Sequence, residues 1–142
     1  MKAALAPLVL LRALLVLIGL APFVPALAAH WAPLRGLADA LDAWFAFQCE
    51  RDRARMLGFG AVCARCLGLY VGLGLGALVA RPRWEWPRLE LALVAAVAVL
   101  LADVASEALD LRGPSASLRL LTGLLFGYVA GATVVVRLRS RT

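Results

Sequence analysis

The sequence predicts an all-α integral membrane protein, a bundle of four spanning helices with a polar cap between the first and the second. Of its 142 residues, 63% are hydrophobic and 17% are charged, and the mean hydropathy is +0.87. An ordinary soluble domain is only about half apolar. The apolar residues also fall into long runs, and a spanning helix needs about 20 of them. We therefore expect one membrane domain over residues 1–142, with room for four spans.

The first apolar run covers about residues 5–28 and is predicted to be an uncleaved first span. Lys2 precedes it and an Ala-Leu-Ala triplet ends it, so a cleaved signal peptide is an alternative. The run is longer than the apolar core of a signal peptide, and Arg12 interrupts it. Both alternatives place the N-terminus in the cytoplasm.

A polar cap of about residues 30–60 follows, and it opens with a short amphipathic helix. The apolar positions recur at helical spacing, and they are Leu34, Leu37, Leu41, Trp44 and Phe45. The charged positions off this stripe are Arg35, Asp39 and Asp42. A helix of this kind lies on the membrane surface or on the bundle.

Three further spans are predicted at about residues 61–80, 89–109 and 118–136. Two of them carry glycines spaced by four, namely Gly68, Gly72 and Gly76, and Gly123, Gly127 and Gly131. Small residues at this spacing let membrane helices approach closely, so we expect these glycines to form packing faces. The glycine-rich stretch 72–76 lies within a span, and this context excludes a dinucleotide-binding loop.

The formal charge of +6 comes from arginines that lie between and beside the apolar runs. Basic residues in these positions anchor the topology and contact phospholipids. We therefore expect a lipid bilayer as the partner and exclude nucleic acid. The basic residues divide evenly between the two sides. The C-terminal arginines and the signal-like first run favour a cell (inner) membrane protein with both termini cytoplasmic and the cap outside.

The three cysteines are the strongest chemical signal in the chain. Cys63 and Cys66 have the spacing Cys-x-x-Cys, which lets both sulfurs face one metal ion or form a bond. Cys49 must fold back from the cap to join them. We expect its sulfur within about 5 Å of one of the other two, as joint ligation or thiol exchange requires.

Three functions are open at this point. The first is a metal site, since zinc and iron–sulfur centres take thiolates. The second is thiol redox chemistry at Cys63 and Cys66 with Cys49 as relay, because a helix N-terminus and Arg65 favour thiolate. The third is a membrane scaffold without chemistry. Enzyme activity is left undecided by the sequence.

Two acidic residues lie one helical turn apart inside the third span, Asp103 and Glu107. Charges within a span are costly and mark a pairing or a function. Arg65 and Arg119, near the outer ends of their spans, lie at a matching depth, whereas Arg12 enters from the other side. We predict structural ion pairs of Asp103 with Arg65 or Arg119, ahead of a proton or ion pathway.

The run from Cys49 to Gly72 resembles a family of small prokaryotic multi-pass membrane proteins, domain of unknown function 2085. The matching positions in its cysteine motif are Cys49, Arg55, Val62, Cys63, Ala64, Arg65, Cys66, Gly68, Tyr70 and Gly72. Those in a second motif are Asp103, Arg112, Leu118, Arg119, Thr122 and Gly123. This chain departs from the family pattern at Glu50, Arg51, Glu107 and Ala116.

The resemblance implies a ligand set but no activity. The family pattern supplies three cysteines and a histidine, and Glu50 stands here in place of that histidine. The implied site is therefore Cys49, Cys63 and Cys66, with Glu50 as candidate fourth ligand, for zinc or another thiolate-bound metal. His30 could also complete the shell, although capping of a helix end is its favoured role. The family's ligand set ranks metal binding above redox chemistry.

Overall fold

The protein, described from a computed structural model, is all-helical with no strand over residues 5–28, 30–49, 57, 61–81 and 84–139, which are those that the structure describes. The helices are α1 (Leu5–Leu20), α2 (Val24–Ala28), α3 (Arg35–Gln48), α4 (Ala64–Val79), α5 (Trp86–Ala108) and α6 (Ala116–Arg139). Short 3-10 turns lie at Ala21–Phe23 and Ala32–Leu34. The predicted all-α class is confirmed.

Within the described ranges, three helical segments are long and apolar enough to cross a membrane: Pro7–Ala28, α5 and α6. The predicted set of four spans is therefore confirmed only in part. α4 is apolar but has 16 residues, or about 24 Å at 1.5 Å per residue. The hydrocarbon core of a bilayer is about 30 Å thick. α4 is shorter than predicted because the chain is extended at Cys63 and turns helical only at Ala64.

The first span is not one regular helix. α1 ends at Leu20, a 3-10 turn follows, and α2 begins at Val24. Pro22 lies in that turn and is fully buried. A proline ring has no N–H to donate and clashes with the preceding helical turn. Proline therefore explains why the predicted continuous helix is interrupted.

The predicted glycine faces pack against each other at the centre of the fold. A Cβ on Gly76 would collide with the carbonyl oxygen of Tyr128, and one on Gly123 would collide with that of Arg65. A Cβ on Gly68 would likewise collide with the carbonyl oxygen of Leu120. Residue numbers therefore increase in the same direction along both helices, and α4 runs parallel to α6. Only glycine lets the two backbones come this close.

The helices define two ends of the molecule, here called the cap end and the base end. At the cap end, the start of α4 and the start of α6 meet the end of α5, where Arg65 contacts Asp103. At the base end, the Nη2 of Arg12 in α1 donates to the carbonyl oxygen of Ala80 at 2.7 Å. α1 therefore runs antiparallel to α4.

The start of α5 and the last turn of α6 also lie at the base end. The guanidinium carbon of Arg137 lies 4.3 Å from the ring centroid of Trp86. The rings of Trp84 and Tyr128 are 6.3 Å apart. Arg12 of α1 and Arg139 of α6 line one cavity at this end, so α1 and the last turn of α6 meet there.

The expected amphipathic helix is α3, and it uses its apolar stripe in two ways. Phe45 is buried and packs edge-on against Tyr70 of α4, with ring centroids 5.5 Å apart. Leu37 and Trp44, from the same predicted stripe, are exposed together with Phe47. Exposed aromatic side chains of this kind suit a membrane–water interface. α3 therefore packs on the bundle along one side and presents apolar side chains outward along the other.

Candidate functional site

The three cysteines form a cluster at the cap end. The sulfur atoms of Cys49, Cys63 and Cys66 all lie within 4.8 Å of one another. All three are free thiols. The close approach expected of Cys49 is thus observed, and the cluster joins a thiol at the end of α3 to two thiols at the start of α4.

The ends of α3 and α4 position these thiols. Cys49 is the first residue beyond α3, where its N–H still donates to the carbonyl oxygen of Phe45 at 2.9 Å. Cys63 is the residue before α4, and its extended backbone directs its N–H to the Sγ of Cys49 at 3.2 Å. Cys66 follows in the first turn of α4. An N–H donated to sulfur stabilises the thiolate form, which is the form that binds metals.

The two thiols outside α4 have opposite tendencies to ionise. A hydrogen bond from the side chain of Cys66 lowers the pKa of Cys63 to about 5, an effect larger than that of burial. Burial raises the pKa of Cys49. Ionisation is therefore favoured at Cys63 over Cys49.

The fourth ligand predicted for the cluster is not located. Glu50 and Arg55 lie outside the described residues. His30 is exposed on the turn after α2, and its backbone N–H donates to the carbonyl oxygen of Leu27 at 3.0 Å. Within the described part of the chain, the group that could hold a metal ion contains the three cysteines and no other side chain.

A cavity of about 430 Å³ lies between α3 and α4 beside the thiols. Its walls are formed by Phe45, Gln48, Cys49, Val62, Cys66, Leu69 and Tyr70. At its edge the hydroxyl of Tyr70 donates to the Oε1 of Gln48 at 2.9 Å. The cavity gives Cys49 and Cys66 an apolar approach with a few polar groups, the usual composition of a small-molecule site. The family motif includes Tyr70, but no local pattern indicated that Gln48, distant in the chain, would contact it.

Asp103 lies at the centre of an ion-pair network next to the cysteine cluster. Its Oδ2 accepts hydrogen bonds from the Nη2 of Arg65 at 2.5 Å and from the hydroxyl of Thr122 at 3.0 Å. Its Oδ1 accepts one from Arg112. The side chain is 2% exposed. The expected pair with Arg65 is present, and Asp103 does not face lipid.

Glu107, one turn further along α5, forms an ion pair with Arg119, the other arginine predicted as a partner of Asp103. The Nε of Arg119 donates to its Oε1 at 2.8 Å, and the Nη2 of Arg119 donates to its Oε2. Arg65 and Arg112 each lie 3.2 Å from the same carboxylate. Arg119 pairs with Glu107 because it lies in the first turn of α6, opposite the last turn of α5.

The end of α5 explains how Arg112 reaches Asp103. Asp110 has a φ of 53°, and the N–H of Leu111 donates to the carbonyl oxygen of Ser106 at 2.9 Å. This is a common C-terminal cap of an α-helix, in which one residue with left-handed backbone angles ends the helix and reverses the chain. The Nε of Arg112 then donates to the hydroxyl of Ser106 at 2.8 Å. No local pattern in the sequence indicated these contacts, since aspartate replaces the usual glycine.

Helices that can cross a bilayer, with clustered thiols and buried ion pairs at one end, define an integral membrane protein. The chain belongs to the family of predicted membrane proteins DUF2085, whose family model matches residues 49–133. This range contains the three cysteines and the whole ion-pair network, and it confirms the resemblance seen in the sequence. The family description names no activity. No curated protein and no solved structure matches the chain.

Proposed function

We propose that the cap of this membrane protein binds a metal ion through Cys49, Cys63 and Cys66. The observation that carries the proposal is the approach of all three sulfurs to within 4.8 Å of one another. Tetrahedral ligation with metal–sulfur bonds of about 2.3 Å places sulfurs about 3.8 Å apart. The sulfurs need to close by no more than about 1 Å, whereas a disulfide requires a separation of about 2.05 Å.

The charges around the cluster support three thiolates. Three thiolates and one divalent ion carry a net charge of −1. The neighbouring network joins three arginines to the two carboxylates of Asp103 and Glu107, and so carries an excess of +1. Arg65 lies between Cys63 and Cys66 in the chain and belongs to that network, so the compensating charge stands next to the metal site.

The fourth position of the metal has two candidate occupants. Glu50 follows Cys49 directly, and a carboxylate oxygen is an accepted zinc ligand. Alternatively, an external ligand enters through the cavity beside Cys49 and Cys66. Three protein ligands with one open position are typical of catalytic zinc sites. Zinc, or another metal that thiolates bind, suits this donor set.

The test is the metal content of the protein purified in detergent without chelator. We expect about one metal ion per chain in the wild type and a loss of at least about tenfold in Cys49→Ser, Cys63→Ser and Cys66→Ser. Ser117→Ala, an exposed hydroxyl at the cap end, is the control and keeps the metal. Cobalt added to the apoprotein should give a thiolate charge-transfer band. A wild type that holds no metal and gives no band overturns the proposal.

The alternative function is thiol redox chemistry, and the position of Cys63 and Cys66 favours it. They lie one turn apart at the N-terminus of α4, where thiolates are favoured. Alkylation under native, oxygen-free conditions distinguishes the two functions. Three thiols recovered with metal support the metal site, and a single thiol without metal supports a Cys63–Cys66 disulfide. Cys49→Ser also separates them, because it removes a metal ligand but leaves that disulfide able to form.

We also propose that α4 is the fourth span. It contacts the ion-pair network at its start and Arg12 of α1 at its end, so it extends between the same two levels as its neighbours. The extended residues before it and the carboxyl end at Ala80 lengthen this path beyond 16 residues. The dense group of arginines at the C-terminus and the signal-like first run favour orientation with the base end in the cytoplasm.

Reporter fusions test this topology. A reporter active only in the cytoplasm should be active when fused after Thr142, and a reporter inserted after Arg53 should behave as exoplasmic. The reason is that four spans return the C-terminus to the starting side, with basic residues retained there. Termini on opposite sides of the membrane would contradict an even number of spans.

A further inference from the structure

The base end contains a second cavity, of about 280 Å³, that the metal proposal does not use. Its polar lining consists of Arg12, Arg81 and Arg139, with the indole rings of Trp84 and Trp86 beside them. No carboxylate lines it among the residues that the structure describes. This positively charged cavity, here called the hollow, is enclosed by α1, by the segment between α4 and α5, and by the end of α6. It lies at the level of the interfacial tryptophans.

Arg12 is fixed within this hollow and has unused donor capacity. Its Nη2 donates to the carbonyl oxygen of Ala80, the residue at the C-terminal end of α4. Its Nε is buried and has no hydrogen-bond partner. A buried donor on a charged group costs free energy when it is left unsatisfied. A negative charge beside the guanidinium would offset part of the cost of burying it.

The described carboxylates near the hollow, Glu85 and Glu90, do not line it. Glu85 pairs with Arg88 at 2.9 Å, and both side chains are largely exposed. Glu90 is exposed on α5. Guanidinium groups match the oxygens of phosphate with two parallel hydrogen bonds. Tryptophans at the headgroup level and arginines beside a span are the usual surroundings of anionic lipid headgroups.

We propose that the hollow at the base end binds a phosphate group of net negative charge, as an anionic phospholipid headgroup or as free phosphate. Arg12, Arg81 and Arg139 line the hollow and provide the charge. This site is at the opposite end from the cysteines and does not depend on the metal proposal. Failure of one therefore leaves the other unaffected.

The test measures ligand-dependent thermal stabilisation of the full chain in detergent, with phosphatidylglycerol, phosphatidylcholine and inorganic phosphate as separate probes. A ligand that binds only the folded state raises the melting temperature in proportion to its occupancy. We expect phosphatidylglycerol to stabilise the wild type, and Arg12→Gln to raise its apparent Kd by about tenfold. Phosphatidylglycerol acting alone identifies a lipid headgroup, and an equal effect of inorganic phosphate identifies the free anion.

Two further variants keep the test decisive. Arg81→Gln changes an exposed residue of the lining, so it should fold even if Arg12→Gln does not, and it should weaken binding in the same direction. Arg35→Gln makes the same change in charge at an exposed residue of α3 outside the lining, and it should leave the apparent Kd within about twofold. Equal weakening by Arg35→Gln, equal stabilisation by phosphatidylcholine, or no stabilisation by any probe overturns the proposal.

Discussion

Asp103→Ala is expected to lower the free energy of unfolding by about 3–5 kcal/mol, the usual cost of removing one partner of a buried ion pair. The change removes the carboxylate that Arg65 and Arg112 contact most closely, and it removes one of two acceptors of the Thr122 hydroxyl. A denaturant titration of the protein in detergent measures the loss. Asp39→Ala, an exposed aspartate on α3, is the matched control and should change stability by no more than about 0.5 kcal/mol.

A double variant distinguishes the cost of losing an ion pair from the cost of leaving a buried arginine without a carboxylate. Asp103→Leu with Arg112→Leu removes one carboxylate and one guanidinium, so the network keeps its excess charge of +1. Replacing a buried pair by apolar residues often costs little, so we expect this variant to be more stable than Asp103→Ala. If Asp103→Ala instead leaves stability unchanged and abolishes a measurable transport or redox activity, the acidic residues are functional and the structural role is wrong.

Gly76→Ala is expected to destabilise the protein by about 3 kcal/mol, the upper part of the range for an overpacked interior. Its new Cβ would collide with the carbonyl oxygen of Tyr128, which belongs to the backbone of α6 and cannot rotate away. Gly123→Ala meets the backbone of Arg65 in the same way. Both helices would have to separate, and the thermal midpoint in detergent reports the change.

Gly36→Ala provides the control for this experiment. A Cβ on Gly36 would meet nothing within 4 Å, and alanine favours the helical conformation of α3. This variant should be unchanged or more stable by up to about 1 kcal/mol. Equal tolerance of Gly76→Ala would mean that α4 and α6 do not pack backbone to backbone in the membrane.

The kinds of contact made at the cap end were largely predictable from the sequence, but several of the individual partners were not. The Cys-x-x-Cys spacing predicted that Cys63 and Cys66 share one turn, because residues three apart in a helix lie on one face. The pairing of Asp103 with an arginine was predictable, because a lone charge within a span is costly. The contact of Arg119 with Glu107 and the return of Arg112 were not, since they depend on how α5 ends.

The sequence by itself determined the membrane class, the approximate positions of the apolar helices and the two glycine faces. These follow from hydropathy and from helical periodicity, which are properties of neighbouring residues. Only the tertiary structure decided that the glycine faces of α4 and α6 meet each other and that Cys49 joins the other thiols. It also decided that Arg12 lies against Ala80 at the base end. Those contacts join residues far apart in the chain, and their free energy comes from packing that no single segment contains.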